Sequence, residues 1–139
     1  MKSYTILSFA VLLWLALAAI PLAAQEIRDA SNRTVAKIAQ DGTVRSPQNI
    51  LLMRFGEDGR IVDASNRLLG RLKADGRVSG ADNRLLGTIH ADGSVIGSHN
   101  TRLGKLFADG RIIDDANRLL ATGRGIRMQR LGAYWFFFR

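Results

Sequence analysis

The sequence lacks cysteine altogether and contains only two prolines and two histidines in its 139 residues. Without cysteine, the chain has neither disulfide bonds nor thiolate metal ligands, so the fold must be stabilised by its packed core. His90 and His99 occupy different places in the chain and form no His-x-x-His spacing. We therefore expect no transition-metal site, no metal-binding residues and no cofactor.

The N-terminal residues have the layout of a secretory signal peptide. Lys2 precedes an almost wholly apolar run from Ile6 to Ile20, which Pro21 ends. This order of a short positive start, an apolar segment and small residues predicts a signal peptide over residues 1–24, cleaved before Gln25. An uncleaved inner-membrane anchor is the alternative, because the apolar run is nearly long enough to span a bilayer. We expect an exported protein, whether periplasmic, outer-membrane-associated or secreted.

Basic residues exceed acidic residues after the leader. Residues 25–139 contain 19 Lys+Arg and 12 Asp+Glu, and most of the excess is arginine. A net charge of this sign attracts polyanions such as acidic glycans. The alternative is an ordinary solvated surface, because the charges are distributed over the whole chain.

Two residue patterns recur every 17 residues. An Asp-Gly dipeptide begins at Asp41, Asp58, Asp75, Asp92 and Asp109, and an asparagine recurs at Asn32, Asn49, Asn66, Asn83, Asn100 and Asn117. A fixed short period containing turn residues is typical of repeat proteins built from one small unit. Asp-Gly between short β-type runs predicts a hairpin with a type I′ turn, and asparagine tolerates the left-handed conformation that the return turn requires.

One repeat predicts two short strands, from Leu69 to Ala74 and from Arg77 to Gly80. Leu69, Leu72 and Val78 represent three positions that are apolar in the other copies. Leu69 and Leu72 are three residues apart and would face opposite sides of a flat strand. A bulge or sharp bend at Gly70 would turn both inward.

The repeats predict one all-β domain over residues 25–122. Five complete hairpins run from Asn32 to Ala116, with half copies at Ile27–Ser31 and Asn117–Thr122. Pairing of the two half copies would close a ring-like β-flower and remove exposed sheet edges, whereas an open β-solenoid is the alternative. Whether the ring has five or six units stays open. Residues 123–139 form a linker and an aromatic C-terminal segment.

The repeat resembles the small exported bacterial proteins described as five-fold β-flowers. The resemblance rests on Leu68-Leu69-Gly70 followed by Asp75-Gly76-Arg77-Val78, and on the aromatic finish of the chain. It covers nearly all residues after the leader. It implies a β-flower fold and supplies no catalytic residue.

Arginine is the best candidate for a binding residue. The repeat would place arginines in two circles, one at each end of the ring, where guanidinium groups could bind phosphate, sulfate or carboxylate. The alternative is that each arginine pairs with a nearby turn aspartate. The candidate anion- or partner-binding residues are Arg33, Arg60, Arg67, Arg77, Arg84, Arg111 and Arg118.

The aromatic tail is the second candidate. Tyr134, Trp135, Phe136, Phe137 and Phe138 are consecutive. Such an apolar segment should be covered, either as a last strand that packs into the flower or as a docking segment for a protein or membrane.

These features favour a non-enzymatic envelope or cell-surface module whose ligand the sequence does not identify. The partner would be an acidic glycan, another polyanion or an envelope protein, and we expect no specific nucleic-acid binding because aromatics do not alternate with the arginines. No catalytic residue stands out, since the turn carboxylates repeat without one asymmetric group. Two alternatives stay open: a carbohydrate-active enzyme on a β-repeat scaffold, and a structural oligomer joined by the aromatic tail.

Overall fold

The fold is a closed barrel of twelve short antiparallel strands with a C-terminal helix inside it. The structure, a computed structural model, describes residues 24–139, so the predicted signal peptide lies outside the described residues as far as residue 23. No helix in residues 24–139 has the length and apolarity to traverse a bilayer. The strands are β1 Gln25–Asp29, β2 Thr34–Ile38, β3 Thr43–Arg45, β4 Leu51–Phe55, β5 Arg60–Asp63, β6 Leu68–Leu72, β7 Arg77–Gly80, β8 Leu85–Ile89, β9 Ser94–Gly97, β10 Arg102–Leu106, β11 Arg111–Asp114 and β12 Leu119–Thr122.

The two ends of the strand region close the ring. Each strand pairs with its neighbours in the chain, and β1 also pairs with β12, with Arg28 opposite Thr122 and Asp29 opposite Ala121. The predicted ring closure is therefore confirmed and the open solenoid is wrong. Five hairpins carry an Asp-Gly turn, and the two half copies supply a sixth pair of strands. Closure satisfies the backbone groups that an open edge would expose.

The hairpin turns differ from the predicted type I′. Gly42 has φ 92°, but Asp41 is not at positive φ. The N–H of Gly42 donates to the carbonyl of Ala39 at 3.0 Å, and the N–H of Ala39 donates to that of Thr43 at 2.9 Å. This is a type I turn followed by one left-handed glycine in a bulge, so the type I′ prediction is wrong. Only the glycine of the pair takes a positive φ. Aspartate is favoured before it because its carboxylate accepts a backbone N–H of the same turn.

The return turns use asparagine for the same left-handed position. All six repeat asparagines have φ between 61° and 69°. Around Asn66, the backbone N–H groups of Asp63 and Asn66 close the turn in the same pattern as the Asp-Gly turns. The predicted left-handed role of asparagine is confirmed.

A β-bulge occurs once in every repeat. Ile61 lies opposite Gly70 and Val62 lies opposite Leu68, which leaves Leu69 as the extra residue. The predicted bulge next to Gly70 is therefore confirmed. It turns both the Leu69 position and the Leu72 position toward the core. The extra residues of the six copies are Val35, Leu52, Leu69, Leu86, Leu103 and Leu120.

The barrel interior is lined by the predicted apolar positions. The residues equivalent to Val78 are completely buried in all six copies. The position of Leu72 is apolar in five copies, and in four of these five the side chain is almost completely buried. Burial of these branched side chains is the main stabilising term for strands this short. The fully buried column consists of Ile27, Val44, Ile61, Val78, Val95 and Ile112.

The C-terminal segment is helical, and the expectation of a last strand is wrong. Helix α1, Met128–Ala133, continues as a π-helical turn, Tyr134–Phe138. Leu131, Ala133, Tyr134 and Trp135 are buried within the core. Because β1 and β12 already pair, no strand edge is left for another strand. A helix satisfies its own backbone hydrogen bonds inside an apolar barrel, whereas a single strand there would leave them unmade.

Three phenylalanine rings fit against three strand glycines. An added Cβ at Gly104, Gly87 and Gly70 would lie 2.8, 2.5 and 2.7 Å from the ring tips of Phe136, Phe137 and Phe138, respectively. At the corresponding position of the other three copies the chain has Ala36, Met53 and Ala121, all buried. These three glycines therefore leave room both for the tail rings and for a carbonyl oxygen of the facing strand, which would lie closer still to the added Cβ.

Candidate functional site

The predicted arginines lie at the two ends of the barrel. We call the end with the five Asp-Gly turns the glycine rim and the end with the six asparagine turns the asparagine rim. Arg60, Arg77 and Arg111 belong to the glycine rim, and Arg33, Arg67, Arg84 and Arg118 belong to the asparagine rim. This two-circle placement follows the repeat as expected.

Most rim arginines are paired with an aspartate of their own turn. Their side chains are 51 to 82% exposed. Surface pairs of this kind contribute little to stability, but they neutralise the charge that a ligand would meet. The pairs are Arg67–Asp63 at 3.4 Å, Arg77–Asp75 at 2.7 Å, Arg84–Asp82 at 3.7 Å, Arg111–Asp109 at 2.8 Å and Arg118–Asp114 at 2.9 Å.

Four aspartates of the glycine rim have a lowered pKa because of the turn backbone: Asp41, Asp75, Asp92 and Asp109. The N–H of Arg77 donates to Oδ1 of Asp75 at 3.1 Å and lowers the pKa of that carboxyl, and the Arg77 side chain lowers it further. Asp109 and Arg111 repeat the arrangement. Asp92 has a lowered pKa through the N–H and then the hydroxyl of Ser94. These contacts explain aspartate at this position without a metal ion.

We expect the lowered pKa values to make the fold acid-sensitive. A carboxyl whose pKa is lower in the folded state stabilises the protein above its unfolded-state pKa, near 3.9 for aspartate, and this contribution is lost as the pH falls through the folded-state value. The free energy of unfolding, measured by denaturant titration, should be flat above about pH 5 and decline below about pH 4. The D75N/D109N variant should show a shallower decline. A carboxyl NMR titration with midpoints at or above the ordinary value would contradict this explanation.

Several basic residues that have no ion pair lie on the outer wall of the barrel. Lys37, Arg45, Arg54, Arg60 and Arg71 face outward, one on each of the strands β2 to β6, and we call them the basic wall. Within residues 24–139, none of these five side chains has a carboxylate oxygen within 4.0 Å. The wall is thus a run of five adjacent strands that each carry a cation without an ion pair. Lys73, Arg102 and Lys105 also lack an ion pair among residues 24–139, so unpaired basic groups are not confined to the wall.

The strand register sets like charges opposite each other in this wall. Lys37 lies directly across from Arg45, and Arg60 lies directly across from Arg71. Arg54 lies opposite Val62 on β5, between these two pairs. Like charges facing each other across a strand pair destabilise a sheet. Lys37 also lies across from Glu26 on β1, so the unfavourable pairing is clearest at Arg60 and Arg71.

A second group of polar contacts ties the helix to the glycine rim. Arg130 is 94% buried; its guanidinium donates to the carbonyl of Gln40 at 3.1 Å and to Oε1 of Glu57 at 3.1 Å. Arg127 lies 3.6 Å from Oε2 of Glu57. Sequence analysis missed these residues because Arg127 and Arg130 lie outside the repeats. The one available signal was Glu57, which replaces the neutral residue found before the aspartate in the other copies.

Clefts flank this group on both sides. One of about 820 Å³ lies between the turn at Glu57, the end of β6 and the start of α1. Another of about 400 Å³ lies between Ile38, Gly125 and Arg130. A third of about 420 Å³ lies on the seam between β1 and β12, near Glu26 and Arg124. The largest has the most apolar lining of the three.

The remaining candidates from the sequence are placed as follows. Tyr134 and Trp135 are buried in the barrel, and the next three residues, Phe136 to Phe138, are partly exposed. Arg139 lies 3.8 Å over the ring of Trp135. In the part of the chain that the structure describes, no three His, Cys, Asp or Glu side chains are grouped as metal ligands would be.

Comparison with known proteins gives one assignment. The family model described as 5-fold beta-flower protein matches residues 24–139. No curated protein and no solved structure matches the chain.

Proposed function

The chain belongs to the 5-fold β-flower protein family, and from this fold and its surface we propose that it is a non-enzymatic binding module of the cell envelope whose partner is an acidic glycan. The proposed contact surface is the basic wall. The leader over residues 1–24 supports export, because its layout is that of a bacterial secretory signal.

The observation that carries the proposal is the unneutralised charge of the wall. Its five cations occupy five adjacent strands, which lie about 4.8 Å apart, and the register staggers them along the strands, since Arg54 lies opposite Thr43 and Val62. Such a band of arginine and lysine complements a flexible linear polymer with one carboxylate on each sugar ring. Arg60 belongs to both the glycine rim and the wall. The other six rim arginines are a weaker candidate, since five of them are already paired.

Two features favour a glycan over other polyanions. Aromatic side chains lie mainly inside the barrel, so the wall offers no stacking platform for single-stranded nucleic acid. The wall also curves around five strands of a closed barrel. A flexible polymer can follow this curvature, whereas a flat bilayer would meet only part of the row.

The test is binding of residues 25–139 to polygalacturonate, with neutral dextran as the uncharged reference. We expect polygalacturonate to bind with an affinity that falls as salt rises, because exposed charges are screened. The R54Q/R60Q variant should lose about tenfold for each arginine, since a hydrogen bond to a charged group contributes about 1.5–3 kcal/mol. Isothermal titration calorimetry at two salt concentrations measures both effects.

The matched control is R67Q/R118Q. It removes the same net charge from two exposed, paired arginines of the asparagine rim. We expect it to bind nearly as well as the parent. Equal losses in the two variants would overturn the wall as the site, and absence of polygalacturonate binding would overturn the glycan. Tighter binding to single-stranded DNA or to phosphatidylglycerol vesicles would identify another class of partner and also overturn it.

A further inference from the structure

The cleft of about 820 Å³ at the glycine rim has the composition of a small-ligand site. Its lining includes the ring of Phe55 and the side chains of Leu72 and Met128, so most of its surface is apolar. Its volume lies within the range of about 300–1,000 Å³ that is common for small-molecule sites. We call it the rim cleft.

The charged side chains that line the rim cleft are mainly basic. Arg71, Lys73 and Arg127 line it together with the buried Arg130. Of its two acids, Glu57 is engaged by Arg130 and Arg127, and Asp58 accepts the backbone N–H of Arg60 at 3.1 Å. Arg71 and Lys73 have no carboxylate within 4.0 Å among residues 24–139.

We propose that the rim cleft binds a small amphipathic anion, with an apolar chain against Leu72 and Met128 and a carboxylate between Lys73 and Arg127. An apolar lining alone would accept any hydrocarbon. The exposed cations at its edge select a negative head group through charge-assisted hydrogen bonds, so this part of the affinity should fall as salt rises. This proposal does not depend on glycan binding at the basic wall.

The chain provides its own reporter for this site. Met128 lines the cleft, whereas Met53 is buried in the barrel core at 6% exposure. In protein labelled at the methionine methyl groups, dodecanoate below its micelle concentration should shift the Met128 resonance saturably and leave that of Met53 in place. Dodecanol, with the same chain and no charge, should bind about tenfold more weakly.

The K73Q/R127Q variant should bind dodecanoate no better than dodecanol, with its affinity for dodecanol unchanged. The R118Q variant is the control, because Arg118 is as exposed but lies on the asparagine rim. Equal affinities of the parent for dodecanoate and dodecanol would overturn the charged head-group site. A Met128 resonance that does not move, or a Met53 resonance that moves with it, would overturn the cleft itself. Since neither Arg54 nor Arg60 is changed here, failure of this test leaves the glycan proposal standing, and the reverse also holds.

Discussion

Ending the chain at Arg127 is expected to abolish the cooperative unfolding transition of the barrel. The truncation removes Leu131, which is 1% exposed, and the buried Tyr134 and Trp135. Loss of one buried leucine or aromatic side chain already costs about 2–5 kcal/mol. Loss of the whole helix would therefore reach the total stability of a domain this size, about 5–15 kcal/mol.

Circular dichroism during heating and binding of a hydrophobic dye measure the effect. The truncated protein should melt without a sharp transition and bind the dye, because the column of Ile27, Val44 and Ile61 would be open to water. A synthetic peptide of residues 126–139 should restore the transition when added in excess. The matched control ends at Phe138 and should lose only the contact of Arg139 with Trp135. A truncated protein that still melts cooperatively within a few degrees of the parent would show that the barrel does not need the helix.

The substitution Gly87→Val is expected to destabilise the protein by about 1–3 kcal/mol. Valine has a higher β-propensity than glycine, so strand preference alone predicts the opposite sign. The cost arises because a Cβ at this position would lie 2.5 Å from the ring tip of Phe137 and also against the carbonyl of Ile96. Denaturant unfolding of the two proteins measures the difference.

Two further variants separate crowding from a general effect of valine. Gly97 is also in a strand, but a Cβ there would meet only ordinary contacts near 3.6 Å. Gly97→Val should therefore be neutral or stabilising. Combining Gly87→Val with Phe137→Ala should cost less than the sum of the two single changes, because the second removes the ring and leaves only the carbonyl of Ile96 as an obstacle. Strict additivity would contradict direct contact between the two positions.

Sequence alone predicted the parts of the fold that depend on local chemistry. The 17-residue period, the left-handed asparagines and the bulge beside Gly70 all follow from which residues tolerate which backbone conformation. The turn type was wrong because Asp-Gly suits both a type I′ turn and a type I turn with a following glycine. The two differ in loop length and register as well as in the φ of the aspartate, and the dipeptide fixes none of these.

The candidate site was harder to predict for a different reason. The position of Arg77 and Arg111 directly after a turn correctly predicted that they lie at a rim. Their ion pairs with Asp75 and Asp109 depend on side-chain geometry, which the sequence does not give. The basic wall involves cross-strand neighbours such as Arg60 and Arg71, which are 11 residues apart in the chain. Only the register shows that they face each other.

The sequence by itself determined a ring of short hairpins with an apolar inside, because repeated turn residues and alternating side chains act over a few neighbouring positions. The tertiary structure decided how the ring is filled and where its charge is left unpaired. Closure of β1 on β12 used up the last strand edge, so the aromatic tail had to form its backbone hydrogen bonds within itself and entered the barrel as a helix. Contacts between distant segments, such as Phe137 against Gly87 and Arg130 against Glu57, arise from that packing, and no local pattern of residues encodes them.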